Sequence, residues 1–470
     1  MTFLKKLFGR PAELGLLLVA ALITAVALAN LELSRGNELT SDMFTVIGGF
    51  VVVFALAHVV LCFSAPKADQ IMLPVAALLN GLGLVVIYRL NEGLATRQVM
   101  WTFVGVVMMA AVVVLLPSIK VLSQFSYVLG LLGLVLLASP MFWPKALKGD
   151  LDADADLWIA IGPISLQPGE FSKILLLLFF AQLLTQKREL FTVAGYHFAG
   201  LDFPRLRDLG PILAVWGIAL VIMAGENDFG PALLLFGTVL GMLYLATGRA
   251  SWLLIGGLLA TVGGVAVYQI SSKIQTRVGG FIDPLSDPSG STLQLSQALF
   301  GMSWGGVTGT GLGQGHPEFV PVVFSDFILA AVGEELGLVG LAAIMLLYAI
   351  FITRGMRTAL LYRDSYGKLV ASGLSLTMAI QVFVVVGGIS AMLPMTGLTT
   401  PFMSAGGSAL MANYILLGLL LRTSDEARGH VKETNMALAH TPEPAKAPLP
   451  VAPPIASDGH AAAPAHGYGG

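Results

Sequence analysis

FSDFILAAVGEELGLVG, residues Phe324–Gly340, opens an apolar run that continues to Phe351. It contains three carboxylates: Asp326, Glu334 and Glu335. A run of this length and composition predicts a membrane-spanning helix. A charge at the centre of a bilayer costs about 2.5–3.5 kcal/mol on insertion scales, so acids in such a segment are a functional-site hypothesis.

The composition of the whole chain supports a membrane protein. Of its 470 residues, 56% are hydrophobic and only 11% are charged, whereas soluble domains are about 25% charged. No soluble fold of this length buries so much apolar surface in one core. The net charge of −2 gives no indication of nucleic acid binding. The single cysteine, Cys62, lies in an apolar run and excludes disulfides within the chain.

The apolar segments predict an all-α polytopic membrane protein with about twelve transmembrane helices. They are continuous runs rather than alternating strands, which excludes a closed barrel. We place the transmembrane domain at residues 1–422. The segments lie near residues 12–30, 43–64, 71–89, 98–117, 124–143, 171–186, 209–225, 230–248, 252–270, 327–352, 367–392 and 402–421.

The distribution of basic residues predicts that the N-terminus is cytoplasmic. Basic residues precede the first segment and ALAN ends it, which resembles a cleavable signal peptide, but we favour an uncleaved first helix. On this topology the short inner loops carry an excess of Lys and Arg, as membrane proteins do. The long connections 144–170 and 271–325 then lie outside. The Pro/Ala-rich tail, residues 423–470, is predicted to be cytoplasmic, disordered and dispensable for catalysis.

Polar residues gather at the helix ends that this topology places outside, here called the outer ends. Alone, each has a structural explanation, such as a helix cap, a turn residue, an i,i+3 ion pair or close helix packing. Together they indicate a polar cavity open to the outside. They are Asp326, Glu334 and Glu335, Glu170 and Lys173 in QPGEFSKI with Gln167 before them, Asp228 in ENDFG, and Ser404 and Ser408 in SAGGS.

Two stretches, one rich in acids and one in glycine, resemble calcium- and nucleotide-binding motifs. GDLDADADLW (149–158) has alternating acids but lacks the glycine and glutamate of a calcium-binding EF-hand loop. GTGLGQG, Gly309–Gly315, has no preceding strand and no βαβ frame, so we interpret it as a flexible outer loop rather than a nucleotide site. The residues predict no metal site.

Residues 157–422 resemble the SEDS family (shape, elongation, division and sporulation proteins), the RodA/FtsW polymerases of peptidoglycan. Five motifs occur in order: QPGEFSKI, ENDFG, FIDPLSDPSG, SDFILAAVGEELGLVG and PMTGLTTPFMSAGGSALMANY. The resemblance implies a ten-helix core, which two N-terminal helices precede here. The stretches LPVAALLNGLGLVVIYRL and DSYGKLVASGLSLTMAIQVFVVVGGI are similar to RodA proteins of the actinobacterial type.

The resemblance implies a processive glycosyltransferase that polymerises lipid II at the outer face of the cytoplasmic membrane, in elongation or in division. Asp326 matches the family's essential aspartate and would be the general base, and Lys173 would steady the pyrophosphate. Glu170, Asp228 and Glu335 match family positions, and Gln167, Ser404 and Ser408 lie in the motifs. No cofactor is implied, although a role for Mg²⁺ or Mn²⁺ stays open. The implied partner is a class B penicillin-binding protein that crosslinks the product.

Some residues depart from the family pattern. Leu157 stands where the family usually has arginine before Trp158, GSTLQ lacks a tyrosine, and Ala405 replaces an aromatic residue. The missing arginine removes a cation that would face the pyrophosphate. A flippase for a polyprenyl-linked sugar is the alternative function, because an outward polar cavity also suits a transporter. Polar groups mainly at the outer ends favour the polymerase.

Overall fold

The computed structural model of the protein describes residues 6, 8–36, 38–143, 157–161, 164–192, 196–198, 201–203, 210–225 and 229–439. Residues Met1–His430 belong to one compact unit. Beyond it, helical backbone is described to Ala439. The predicted disordered tail from residue 440 onward lies outside the described residues.

The all-α fold is confirmed, and each of the twelve predicted apolar segments contains helical residues, although the helix bounds differ at 327–352 and 402–421. In the described part of the chain, nine helices are long and apolar enough to cross a membrane, and α6 is a shorter apolar helix. The helices are α1 (Pro11–Ser34), α2 (Ser41–Ser64), α3 (Met72–Leu90), α4 (Glu92–Leu115), α5 (Lys120–Gln124), α6 (Ser126–Phe142), α7 (Pro168–Thr192), α8 (Gly210–Gly225), α9 (Phe229–Thr247), α10 (Ser251–Ile270), α11 (Ser272–Ile282), α12 (Leu293–Gly305), α13 (Ile328–Glu335), α14 (Gly337–Leu361), α15 (Ser365–Ile389) and α16 (Gly407–Ala439).

Two short antiparallel hairpins interrupt the helical pattern. Strands β1 (Ile159–Ile161) and β2 (Ile164–Leu166) pair directly before α7, within the predicted outer loop 144–170. Strands β3 (Tyr196–Phe198) and β4 (Leu201–Phe203) pair between α7 and α8. The first hairpin leads the chain into the helix that carries Glu170 and Lys173.

The N-terminal helices α1 and α2 are joined to the rest of the bundle by buried charged groups at their inner ends. Arg10 is 1% exposed and donates hydrogen bonds to the carbonyl oxygens of Ala65 and Ala68, at 2.7 and 3.1 Å. Glu13, which is fully buried, accepts from Arg10 at 2.5 Å and lies 2.7 Å from Nδ1 of His58. Because each buried charge has a partner, removing any one would leave another uncompensated, which costs several kcal/mol.

The acidic segment that was expected to be one continuous helix over 327–352 is broken into α13 and α14. Gly337 has φ +66°, and a Cβ there would lie 2.3 Å from the backbone nitrogen of Gly309. Only glycine fits this left-handed position against another backbone. The acids Glu334 and Glu335 therefore end a short, fully buried helix instead of lying along a membrane-spanning one.

The segment that was expected to begin a helix at residue 402 is non-helical to residue 406, and α16 starts only at Gly407. Phe402 adopts φ +63°, which is incompatible with a helix. Buried carbonyls outside a helix need other donors, and side chains of four helices supply them. Gln381 donates to Thr399, Tyr348 to Pro401, Asn80 to Phe402 and Gln98 to Ser404, at 2.5–3.2 Å.

The predicted boundary of the tail at residue 423 is wrong, because α16 continues through it and packs on inner loops. Thr423, Ser424 and Ala427 are almost completely buried. The Asp425 carboxylate accepts a hydrogen bond from the backbone N–H of Lys67 at 2.7 Å. Asp425 was assigned to a disordered tail, but it satisfies a backbone donor of an inner loop.

Glu426 makes the most extensive of these contacts. It accepts from the backbone N–H of Ile119 at 2.9 Å and from the hydroxyl of Tyr362 at 2.6 Å. Ile119 is the residue directly before α5, where a carboxylate complements the helix dipole. Glu426 thus connects α16 to the loops before α5 and after α14.

We expect a chain ending at Thr423 to be destabilised, and a chain ending at His430 to be unaffected. The first loses Asp425 and Glu426 and leaves the buried N–H of Ile119 without its acceptor, at about 1–3 kcal/mol, while the exposed N–H of Lys67 exchanges its acceptor for water. The measurement is the thermal unfolding midpoint and the monodisperse fraction of both variants in detergent. Equal midpoints would show that this end of α16 contributes nothing to the fold.

Candidate functional site

Asp326 lies in a turn directly before α13, on a segment held by the non-helical stretch 400–405. The Ser404 hydroxyl donates to the carbonyl of Ser325 at 2.5 Å and accepts from the N–H of Thr400 at 2.8 Å. The N–H of Ala405 donates to the carbonyl of Phe324 at 2.8 Å. Ser404 therefore fixes the backbone on the N-terminal side of Asp326 rather than lining a cavity as an isolated hydroxyl.

The charged neighbour of Asp326 is Arg277, on the outer helix α11. Burial raises the pKa of the Asp326 carboxyl above its ordinary value, while its own backbone N–H and the charge of Arg277 oppose the rise. Nη1 of Arg277 donates to the carbonyl of Thr396 at 3.1 Å, so the guanidinium is anchored to the segment that leads to Ser404. A carboxylate whose proton affinity is raised in this way is suited to general base catalysis.

Glu170 and Lys173 form an ion pair on the first turns of α7. The Oε2 and Nζ atoms lie 2.6 Å apart, and both side chains are more than 90% buried. Lys173 borders two small voids of about 10 Å³ each, near the size that one water molecule needs. The polar side chains of Thr238, Thr377 and Asn413 share these voids. The i,i+3 spacing seen in the sequence thus produces a buried pair, not a surface one.

Gln167 and Ser408 connect this pair to the stretch that holds Asp326. The Ser408 hydroxyl accepts from the backbone N–H of Gln167 at 2.8 Å, one residue before α7 begins. Ser408 lies in the first turn of α16, four residues after Ser404. The segment from Ser404 to Ser408 therefore positions both the turn with Asp326 and the start of the helix with Lys173.

Glu335 belongs to a different cluster from Lys173. Its Oε1 lies 3.0 Å from Nε of Arg89 at the outer end of α3, and the Arg89 guanidinium also donates to the carbonyl of Gly315 at 2.8 Å. Glu334 accepts from the backbone N–H of His316 at 2.6 Å. Both acids therefore fold the stretch 309–316 onto α13, and that stretch is ordered by hydrogen bonds rather than flexible as expected.

Asp228, which was predicted to contribute to the site, lies outside the described residues. Within the described part of the chain, no group of three or more His, Cys, Asp or Glu side chains is arranged to hold a metal ion. Glu170 pairs with Lys173 and Glu335 with Arg89, whereas Glu334 accepts from a backbone N–H.

An apolar cavity of about 510 Å³ adjoins Arg277. It lies between α9, α10 and α15 at their outer ends, and only the inner end of α10 is buried against the bundle. Most of its lining is aliphatic or aromatic, and Arg277 and Thr396 provide polar groups. The lining includes Leu220, Phe236, Leu259, Val267, Tyr268, Val278, Val384 and Met395.

Sequence reasoning missed Arg277 and Arg89. The stretch 271–325 was predicted to be a loop, whereas SKIQTRVGGFI forms the amphipathic helix α11. Its spacing of Ile274, Arg277 and Val278 places all three on one helical face, and this signal was available. Arg89 ends an apolar segment, where a basic residue is ordinary, so only the fold reveals its partner Glu335.

A bundle of membrane-spanning helices with a buried acid, an anchored arginine and a lysine–glutamate pair at its outer end defines a polytopic membrane protein with a polar outer site. The model of the cell cycle protein family of FtsW, RodA and SpoVE matches residues 69–429. The chain belongs to this family, as its motifs predicted. Helices α1 and α2 precede the matched region.

Named proteins and solved structures are similar over most of the chain. Peptidoglycan glycosyltransferase RodA of Mycobacterium tuberculosis is 48% identical over 429 residues, 89% of this chain and 91% of that protein. A solved chain from a peptidoglycan synthase complex, described as coordinating polymerisation and crosslinking, is 25% identical with a TM-score of 0.61, over 77% of this chain and 98% of that one. RodA of Thermus thermophilus is 23% identical with a TM-score of 0.54, over 76% and 96%, and supports the fold.

Proposed function

We propose that this protein is a peptidoglycan glycosyltransferase that polymerises lipid II at the outer face of the cytoplasmic membrane. The 48% identity to mycobacterial RodA supports the activity. The observation that carries the mechanism is the half-buried Asp326 carboxyl, held by Ser404 and facing the charge of Arg277. A base and a cation in one outer site match a reaction that removes a proton and releases a pyrophosphate.

The reaction joins the 4-hydroxyl of one sugar to the anomeric carbon of another. Asp326 takes the hydroxyl proton as the C–O bond forms, and the bond from the anomeric carbon to the lipid pyrophosphate breaks. The leaving group departs with the bonding electrons, so negative charge grows on its oxygen. A fixed cation at that position stabilises the transition state more than the ground state.

Arg277 is the cation best placed to receive that charge. It borders the apolar cavity and its charge acts on the Asp326 carboxyl, so a pyrophosphate beside it would have its polyprenyl chain next to the aliphatic lining. In this chain Leu157 stands where the family resemblance predicts an arginine, so Arg277 acquires a larger share of this role. Lys173 is paired with Glu170 inside the bundle, and we assign it to holding the site together.

The crosslinking of the product requires a second protein. The described helices contain no soluble catalytic domain, and the solved peptidoglycan synthase complex couples polymerisation to crosslinking. We therefore infer a class B penicillin-binding protein as the partner, bound to the membrane-spanning helices and to the outer region 271–325. Its binding would shift the population towards conformations in which Asp326 meets the acceptor.

The test is polymerisation of fluorescent lipid II by the purified protein, alone and with a class B penicillin-binding protein, followed by gel separation of the glycan. We expect polymers that lysozyme digests, with release of undecaprenyl pyrophosphate. The flippase alternative is measured in liposomes, as transfer of the same lipid from the inner to the outer leaflet. Transfer of lipid II between the leaflets without formation of polymer would show that the protein is a transporter and not a polymerase.

A further inference from the structure

The N-terminal helix α1, which lies outside the matched family region, contacts the loop 309–316 and Arg89, and both of these hold the acidic helix α13. The side-chain amide of Gln314 donates to the carbonyl of Ser34, the last residue of α1, at 3.0 Å. Arg35, directly after α1, donates to the backbone carbonyl of Arg89. Arg89 in turn is paired with Glu335 at the C-terminal end of α13. Residues at the end of α1 therefore contact both the loop 309–316 and Arg89, the two groups that hold this end of α13.

Gly313 is the point where the loop and α1 come closest. A Cβ on Gly313 would lie 2.5 Å from Oγ of Ser34 and 3.0 Å from Cδ1 of Leu31, so no side chain fits without movement. The backbone N–H of Gly313 also donates to the Glu335 carboxylate. The same residue therefore contacts α1 on one side and α13 on the other.

Helix α13 is short and buried, so a displacement of one of its ends displaces the other. It has eight residues, all buried, and at 1.5 Å per residue it is about 12 Å long. Asp326 lies two residues before its N-terminus, and Glu334 and Glu335 form its C-terminal end. Close-packed interiors resist deformation, so a shift at one end of such a short helix moves the other.

We propose that α1 positions Asp326 for the reaction, by holding the loop 309–316 against the C-terminal end of α13. The positioning residues are Ser34, Arg35 and Gly313, none of which touches the reacting atoms. Ser404 fixes the segment before Asp326, and α1 fixes the helix after it. The role rests on the proposed glycosyltransferase function, and it assigns a task to the helix pair that precedes the matched family region.

The test compares two glycines in the same loop. Gly313→Ala pushes a methyl group into Ser34, whereas Gly311→Ala is the matched control. Gly311 also has a positive φ, +102°, but a Cβ there meets nothing closer than 3.6 Å. Both variants therefore carry backbone strain, and only Gly313→Ala places a methyl group against side chains of α1, those of Ser34 and Leu31. Ser34→Gly removes the clashing oxygen and is added to Gly313→Ala as the rescue.

With the full-length protein and fluorescent lipid II, we expect Gly313→Ala to lower kcat by about 10- to 100-fold at nearly constant KM, because small misplacements of a catalytic group cost this much. Gly311→Ala should stay within about threefold of the unmodified protein, and the double variant should recover most of the loss. A purely structural role would lower the yield of folded protein and leave kcat unchanged. Equal kcat for the two glycine variants, or no rescue, overturns the proposal.

Hydrogen exchange separates this inference from the function itself. We expect faster amide exchange over residues 309–316 and 326–335 in Gly313→Ala, reversed by Ser34→Gly and not seen in Gly311→Ala. If the unmodified protein makes no polymer, the proposed function fails while this readout still applies. Unchanged exchange at residues 326–335 shows that α1 does not act on Asp326.

Discussion

The Asp326→Asn variant is expected to lose lipid II polymerisation by about 100-fold or more, the usual contribution of a general base. Asparagine keeps the size of the side chain and its hydrogen bond to the backbone, but it cannot accept the proton of the attacking hydroxyl. The expected signature is a fall in kcat with little change in the unfolding midpoint. The measurement is single-turnover polymerisation with purified protein.

The matched control is Asp42→Asn, which changes an exposed carboxylate at the outer end of α2 in the same way. It should keep near-normal activity, because it removes the same charge from the outer surface without touching the site. If Asp326→Asn retains more than half of the activity, Asp326 is not the base.

The pH dependence provides a second check on Asp326. A base works only when deprotonated, so activity should fall as the pH drops through the raised pKa of this carboxyl. The charge of Arg277 holds that pKa down, and Arg277→Met should therefore move the acid limb of the profile to higher pH. Arg277→Lys retains a charge and should move it less. If the acid limb is unshifted in Arg277→Met, the charge of Arg277 does not influence the pKa of Asp326.

The sequence predicted the helices well because the apolar runs are long and continuous. It could not predict where two of them break, since both breaks depend on tertiary contacts. Gly337 turns the chain because the backbone of Gly309 packs against it, and Phe402 adopts a positive φ because side chains from other helices satisfy the carbonyls around it. The residues that make these contacts are distant in the sequence, so the hydrophobic periodicity around Gly337 and Phe402 cannot predict the breaks.

The candidate site was predicted in part, through acids in apolar segments. Asp326, Glu170 and Lys173 were identifiable because a charge there is costly and needs an explanation. The sequence could not choose between Glu170 and Glu335 as the partner of Lys173, and the fold resolves this in favour of Glu170. Acids at the inner end of α16 were mistaken for part of a solvated tail, because a carboxylate that caps a distant loop resembles one that faces water.

Lys173→Met is expected to destabilise the bundle strongly. It leaves the Glu170 carboxylate buried without a counter-charge, and breaking a buried pair in this way costs about 3–5 kcal/mol. Glu170→Gln leaves the ammonium group in the same position and should cost a similar amount. The double variant Glu170→Gln/Lys173→Met removes both charges and should recover much of the stability, because no lone ion remains.

The measurement is a double-mutant cycle on unfolding in detergent, with lipid II polymerisation recorded for each variant. A parallel cycle of Lys173→Met with Glu335→Gln is the control, since Glu335 is paired with Arg89 and these losses should add. If the double variant Glu170→Gln/Lys173→Met recovers both stability and activity, the ion pair has only a structural role. Stability without activity would give Lys173 a direct role at the pyrophosphate. Additive losses for Glu170 and Lys173 would contradict the pair itself, because two buried ions 2.6 Å apart cannot act independently.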